Sequence, residues 1–361
     1  MLIFSVETSC DETSLGLLEI KKTRAAFFIK PIHNLLISQI KIHEKYGGVV
    51  PILANREHFK NLPILFEKLL KEEKISFKER IDLISVTNGP GLIPSLLIGV
   101  NFAKTLSWYF KKPIIGTSHL TGHLLSFLLP PLKKEKKIPL NSFKKYFPLL
   151  GLIVSGGHTL LVYSKKIGDY QIIGETLDDA SGECFDKTAR ILNLGYPGGP
   201  KIALEAKKFK EQNFQPSLNI HLPRPMINSK DYNFSFSGLK TAVLYLYRRL
   251  NNKEKKKYLS FIAYEIEEAI TDVLVKKTIK AIKDLKVKTL VIGGGVASNL
   301  RLREKLKEEI KKENLKINYQ FPYLEYSTDN AIMIALAGFF ESLMNKNLEW
   351  QKIDALSNRK F

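Results

Sequence analysis

The apolar positions of this chain switch repeatedly between a period of two and a helical period. Leu2–Val6 is a short apolar run, and Leu15–Ile20 is a second one beyond a polar turn at Cys10–Thr13; together they predict a β-hairpin. Phe59, Leu62, Leu65, Phe66, Leu69 and Leu70 then recur at helical spacing and predict an amphipathic helix over Glu57–Glu73. Pro63 either kinks that helix or marks its true first turn. Ile81–Thr87 reads as a buried strand closed by the turn Asn88-Gly-Pro-Gly91, with a helix over Ser95–Phe110 behind it. Pro113–Gly116 is another strand and feeds a helix that starts near His119.

The alternation continues with strands at Leu149–Val154 and Leu160–Ser164 and helices at Cys184–Leu194, Leu239–Leu250 and Tyr258–Leu285. A strand at Thr289–Ile292 enters a helix over Asn299–Glu313, and a last helix runs from Asp329 to Met344. This rhythm is that of an α/β protein. The turns Val6–Thr13 and Val154–Thr159 each join two strands through small and polar residues, as two related halves would. Between the halves, Pro130–Pro148 brackets six lysines (Lys133, Lys134, Lys136, Lys137, Lys144 and Lys145) and reads as a solvated insertion.

Composition narrows the class. A chain of 361 residues is long enough for about two domains. No apolar run approaches the roughly 18 residues of a membrane span. Met1–Glu7 meets a carboxylate at once and reads as a strand, not a signal peptide. The two cysteines, Cys10 and Cys184, cannot build a disulfide framework and fit a reducing cytoplasm. A lysine-rich surface alone predicts rough charge balance, whereas 56 basic residues face 36 acidic ones, a net charge of +20. That excess favours a polyanionic partner, nucleic acid ahead of a membrane surface.

His119 and His123 stand at i and i+4, so both imidazoles project from one helix face toward a shared ion. Ser118 can cap that helix, and the positive helix end favours a neutral His119. The residues between them are Leu120, Thr121 and Gly122, not the glutamate a metalloprotease needs as base, so peptide hydrolysis is excluded. Two ligands are too few; Asp329 at the head of the last helix and Asp11 on the opening turn are the candidate carboxylates. Two imidazoles with a carboxylate suit one divalent iron or zinc ion and leave positions open for substrate oxygens.

Three glycine-rich turns, Val154–His158, Tyr196–Pro200 and Ile292–Asn299, allow backbone N–H groups to approach phosphate. The third leaves a strand and opens a helix, whose N-terminus would face an anion. No P-loop pattern occurs. The acid-rich segment Asp178–Lys187 suggests contacts to hydroxyls or an amine, and Phe234–Val243 is a packed helix entrance.

These segments together resemble the tRNA threonylcarbamoyladenosine transferase family (the TsaD/Gcp/YgjD-like proteins). The matching pieces are Val6–Thr13, Tyr46–Pro51, Asn88–Leu92, His119–His123, Val154–Thr159, Gly182–Pro200, Phe234–Val243, Gly293–Asn299 and Ser327–Ile332, in family order from end to end. The resemblance implies the two-lobed fold of actin, heat-shock chaperones and sugar kinases (ASKHA), with a nucleotide cleft between the lobes. The expected division is a first lobe of residues 1–117 plus 326–361 and a second of 118–325 that carries the insertion 130–148.

The activity implied is transfer of threonylcarbamoyl from its adenylate to the exocyclic amine of the adenosine 3′ of the anticodon in tRNAs reading ANN codons, with release of AMP. It makes His119, His123 and Asp329 metal ligands, with Asp11 close enough to join. It places Ile153, Val154, Ser155, Gly156, Gly157, Asp186, Gly199 and Asn299 on the substrate. Asp11 or Glu12 is the expected proton acceptor. The expected partners are tRNA, an inactive TsaB-like paralogue and a small TsaE-like ATPase, in the cytoplasm and without a membrane. Ala203 replaces a common acidic residue, and Thr121, Ile52, Pro94 and Ser327 also depart from the family pattern without removing a proposed ligand. An ATP-dependent small-molecule kinase of the same fold is the alternative; the histidine pair disfavours it, because such kinases hold magnesium through carboxylates and water.

Overall fold

The computed structural model describes residues 1–73, 76–212, 216–218, 220–344 and 349–361. The expected hairpin forms from β1 (Leu2–Glu7) and β2 (Glu12–Lys22), which pair antiparallel with Val6 opposite Leu15. β3 (Ala26–Ser38) extends it, and β4 (Leu83–Gly89) and β5 (Ile114–Ser118) join β1 in parallel on the other side. Helices α1 (Ile40–His43), α2 (Pro51–Glu73), α3 (Phe77–Arg80) and α4 (Ile93–Phe110) complete this half. α2 begins at Pro51 and runs through Pro63, so Pro63 is not its first turn. Pro51 takes that position, where a missing N–H costs nothing.

α5 (His119–Leu125) leads into the lysine-rich stretch. That stretch is not a free solvated loop. It forms β6 (Lys136–Pro139), which pairs antiparallel with β3 at the edge of the first sheet, and α6 (Phe143–Tyr146). Ile138 is buried there and Phe143 packs edge-on against Phe27, and half-buried Lys136 donates to the Phe127 carbonyl oxygen at 3.3 Å, while the other five lysines stay in water.

The second half repeats the first. β7 (Leu149–Val154), β8 (Thr159–Lys166) and β9 (Asp169–Glu175) form an antiparallel meander, and β10 (Thr289–Gly293) and β11 (Asn318–Gln320) continue in parallel beyond β7. The strand orders are β5-β4-β1-β2-β3-β6 and β11-β10-β7-β8-β9, the same arrangement apart from the added β6. α7 (Ser181–Ile191), α8 (Gly198–Glu211), α9 (Ser237–Arg249), the long α10 (Asn252–Leu285) and α11 (Leu300–Lys312) flank the second sheet, and their apolar faces form one core with Leu150, Leu152 and Leu161.

The last helix, α12 (Ala331–Met344), returns to the first sheet and packs on the face opposite α2 and α4. α5 lies between the two halves: Leu125 joins the α12 core, while Leu120 and Leu124 pack on Ile153 and Val162 of the second sheet. All seven α5 residues are buried, which is how two histidines come to sit in the interior. No helix among the described residues is long and apolar enough to cross a membrane.

Candidate metal and nucleotide site

Five chain segments meet around α5. Ser118 caps it as expected, accepting from the Thr121 N–H at 3.5 Å. His119 and His123 turn their rings to one point, centroids 4.6 Å apart and nearly perpendicular. Asp329, just before α12, completes the group: its Oδ1 lies 3.4 Å from His119 Nε2 and 3.0 Å from His123 Nε2. One ligand atom from each of the three residues lies within 4.8 Å of the others. Asp329 is free for this because Asn330 takes the capping duty, its Oδ1 accepting from the Met333 N–H at 3.0 Å.

Glu7, at the end of β1, decides how His119 is used. Its Oε2 lies 3.0 Å from His119 Nδ1 and also accepts from the Thr87 hydroxyl at 2.6 Å, while Oε1 takes the Ser9 N–H at 2.6 Å. A carboxylate only accepts, so Nδ1 carries the proton and Nε2 presents a lone pair to Asp329. A lone pair facing an anionic oxygen requires a cation between them. Without a metal that cation is a second proton. Burial alone would lower the His119 pKa, but Asp329 and Glu7 outweigh it and raise it well above the imidazole range. The same pairing holds Asp329 far below the carboxylate range against its own burial, and burial holds His123 below the usual imidazole value. With a divalent ion in place of that second proton, His119 is the neutral ligand that the sequence suggests, its Nδ1 proton held by Glu7. A His–His–Asp set with a carboxylate behind one imidazole is the arrangement that divalent metals use, so the residues present fit the implied ion and can hold one.

Asp11 is buried on the turn after β1 but does not belong to the converging set. Glu12 begins β2; burial, Asp11 and Asp329 push its pKa well above the carboxylate range. Both stand as candidates for the proton, not as demonstrated ligands.

The glycine turns open beside the histidines. A Cβ on Gly293 would sit 2.7 Å from the His123 carbonyl oxygen, and one on Gly294 would sit 2.3 Å from that of Val154. Gly294 also has φ +91°, so glycine is needed there twice over. The third turn is thus locked against both the metal-ligand helix and the end of β7. Gly156, Gly157, Gly199 and Gly295 have nothing within 4 Å of a Cβ position and leave their backbones approachable. Ile153 and Val154 are buried in β7, with Ser155 closing the turn through a 3.2 Å bond from the His158 N–H to its Oγ.

On the far wall, Asp186 accepts from the Gly198 N–H at 2.6 Å, which ties α7 to the Tyr196–Pro200 turn. Burial raises its pKa to about 6. Asn299 caps α11 through Leu302 N–H at 2.8 Å and donates to Glu267 at 2.8 Å, so both ends of its amide are engaged within the protein. The other acids of the 178–187 segment are occupied structurally. Asp178 receives the Ser235 and Ser237 hydroxyls and the N–H groups at the start of α9, and Lys187 pairs with Asp179 and Glu183. Sequence reasoning missed Glu7, Ser9 and Thr87; the only signal was an acid at the end of an otherwise apolar strand.

Fold and site together define an α/β protein of two sheets that repeat one strand order, with a group of side chains able to hold a metal ion on the segments that join them. Two solved structures share the fold: HypF from T. kodakarensis (TM-score 0.55, 13% identity, 94% of this chain and 47% of that one), and full-length HypF in the phosphate- and nucleotide-bound form (TM-score 0.57, 10% identity, 96% and 56%). The TsaD family model, described as tRNA N6-adenosine threonylcarbamoyltransferase, matches residues 30–336. Relatives of that name include proteins from Thermosipho africanus (46% identical, 94% of each chain), Fervidobacterium nodosum (46%, 94% of this chain and 92% of the relative) and Methylobacillus flagellatus (44%, 94% and 92%). The chain belongs to the tRNA N6-adenosine threonylcarbamoyltransferase family. It is a transferase, and the kinase alternative is set aside.

Proposed function

We propose that this chain moves threonylcarbamoyl from threonylcarbamoyl-adenylate to the exocyclic amine of the adenosine 3′ of the anticodon in ANN-reading tRNAs. The observation that carries this reading is the His119–His123–Asp329 set placed directly against a glycine turn, with Gly293 touching His123. The first lobe is taken as residues 1–117 plus 326–361 and the second as 118–325, the latter reaching over the first sheet through β6.

The donor is a mixed anhydride, so activation is already complete. The amine nitrogen attacks the carbamoyl carbon, the carbon–oxygen bond to the phosphate breaks, and AMP departs with the electron pair. A divalent ion, iron(II) or zinc, held by His119, His123 and Asp329 would supply charge for the phosphate and polarise the carbonyl. The open backbones at Gly156, Gly157, Gly199 and Gly295 supply N–H donors that need no reorganisation as charge develops. Ile153, Val154 and Ser155 shape the phosphate turn, and Asp186 accepts a substrate hydroxyl while it holds Gly198. The expected role of Asn299 becomes indirect, through the turn that it caps.

The amine is a weak nucleophile because its lone pair is delocalised into adenine. Orientation must contribute heavily, and a base must take the proton. Asp11, on the turn after β1, and Glu12, at the start of β2, are the two carboxyl groups proposed for that proton. A TsaB-like paralogue and a TsaE-like ATPase are the expected partners, in the cytoplasm. The test is direct: purified protein, donor and unmodified tRNA should yield modified nucleoside and AMP. Phosphorylated product from ATP and small alcohols would overturn the reading.

A further inference from the structure

Beneath the turn that carries Asp11 and Glu12 runs a line of buried polar groups outside the His119–His123–Asp329 set. Gln39, His43 and His58 are 1%, 0% and 0% exposed. His58 Nε2 lies 3.0 Å from the Cys10 carbonyl oxygen, which can only accept, so Nε2 carries the proton. Nδ1 of the same ring is therefore the acceptor, taking the Thr13 hydroxyl at 2.8 Å and the Gln39 amide nitrogen at 3.3 Å. At the other end the Val50 N–H donates to His43 Nδ1 at 3.3 Å, so the His43 proton is on Nε2 and points to Gln39 Oε1 at 3.1 Å. Burial holds both imidazoles below their usual pKa, consistent with neutral rings.

The directions close without conflict. Val50 donates to His43, His43 to Gln39, Gln39 to His58 and His58 to Cys10. The Gln39 backbone N–H adds a bond to the Asp11 carbonyl oxygen at 3.0 Å. The upstream end lies beside a loop that the second lobe approaches. Val50 follows the Gly47–Gly48 loop, and the Arg190 guanidinium lies so near that a Cβ on Gly47 would be 2.8 Å from its Nε. Arg190 is one helical turn beyond Asp186 on α7.

We propose that Gln39, His43 and His58 are positioning residues: a one-way hydrogen-bond relay that links the Gly47–Val50 loop, touched by Arg190 of the facing lobe, to the aim of the Asp11–Glu12 turn. It rests on the functional reading above, in which that turn receives the proton. Filling Cys10's acceptor alone would need one donor; a chain of three buried side chains running to the loop that Arg190 approaches does more. Buried networks of this kind hold one geometry because breaking any member strands the others.

The test measures transfer, metal content and thermal stability of the full-length, metal-loaded protein and its variants. His58→Leu should lower kcat by about 10- to 100-fold with metal content and the KM for the adenylate unchanged. His58→Gln, whose amide can both donate to Cys10 and accept from Thr13, should recover most of the rate. His43→Leu, which touches neither Asp11 nor Glu12, should also slow kcat, and the His43→Leu/His58→Leu pair should be no slower than the worse single change. Full-rate transfer by His43→Leu, effects that multiply in the pair, or metal loss in His58→Leu would overturn the relay. If the wild-type protein itself transfers nothing, the functional reading fails, and the relay with it.

Discussion

His119 and Glu7 form a pair in which the carboxylate fixes the proton on Nδ1, 3.0 Å away, and leaves Nε2 to face Asp329. The metal-ligand geometry therefore begins at β1, more than a hundred residues before His119.

Glu7→Gln tests that dependence. An amide in this place can donate as well as accept, so it no longer fixes the tautomer or adds basicity to the imidazole. Metal affinity should fall by about 10- to 100-fold while the protein stays folded, read by competition against a chelator of known strength. Unchanged affinity would remove Glu7 from the site.

Asp186 should impose a pH dependence. Its pKa is raised to about 6 in the folded protein, above the ordinary aspartate value, so the folded chain holds this proton more tightly than the unfolded one. Its contribution to stability is accordingly greatest at low pH and declines as pH rises from roughly 4 to 6. Its ability to accept a substrate hydroxyl has the opposite sign. The KM for the adenylate should drop as pH rises through about 6, and Asp186→Asn should flatten that part of the profile. A wild-type profile that is flat between pH 5 and 7 would contradict this role.

tRNA binding should be strongly dependent on salt. With a net charge of +20, the chain should neutralise several phosphates, each adding about −0.7 to −0.9 to the slope of log affinity against log salt. Filter binding between low and moderate salt would show it, and a slope near zero would rule out charge as the source of affinity.

Much of the fold was readable from periodicity because both sheets place apolar strands beside amphipathic helices. β7 appears at its expected bounds, and the β1–β2 hairpin at its expected pairing. β3 escaped because Pro31, His33 and Asn34 interrupt its alternation; the ladder accommodates them by a register shift opposite Leu17 and Leu18. α8 was hidden behind Pro197, Gly198 and Gly199, which read as a turn but occupy the first residues and N-cap of a helix. The metal set was legible because His119 and His123 share a local helical spacing. The Glu7 contact and the Gln39–His43–His58 line were not, because each joins segments distant in sequence whose polar residues look like ordinary turn and helix positions.

The most direct measurement is metal content together with transfer activity, compared between the wild-type protein and His119→Ala/His123→Ala. The expected result is close to one divalent ion per wild-type chain, and loss of both ion and transfer in a double variant that remains folded. A folded double variant that still forms modified nucleoside at the wild-type rate would contradict the account.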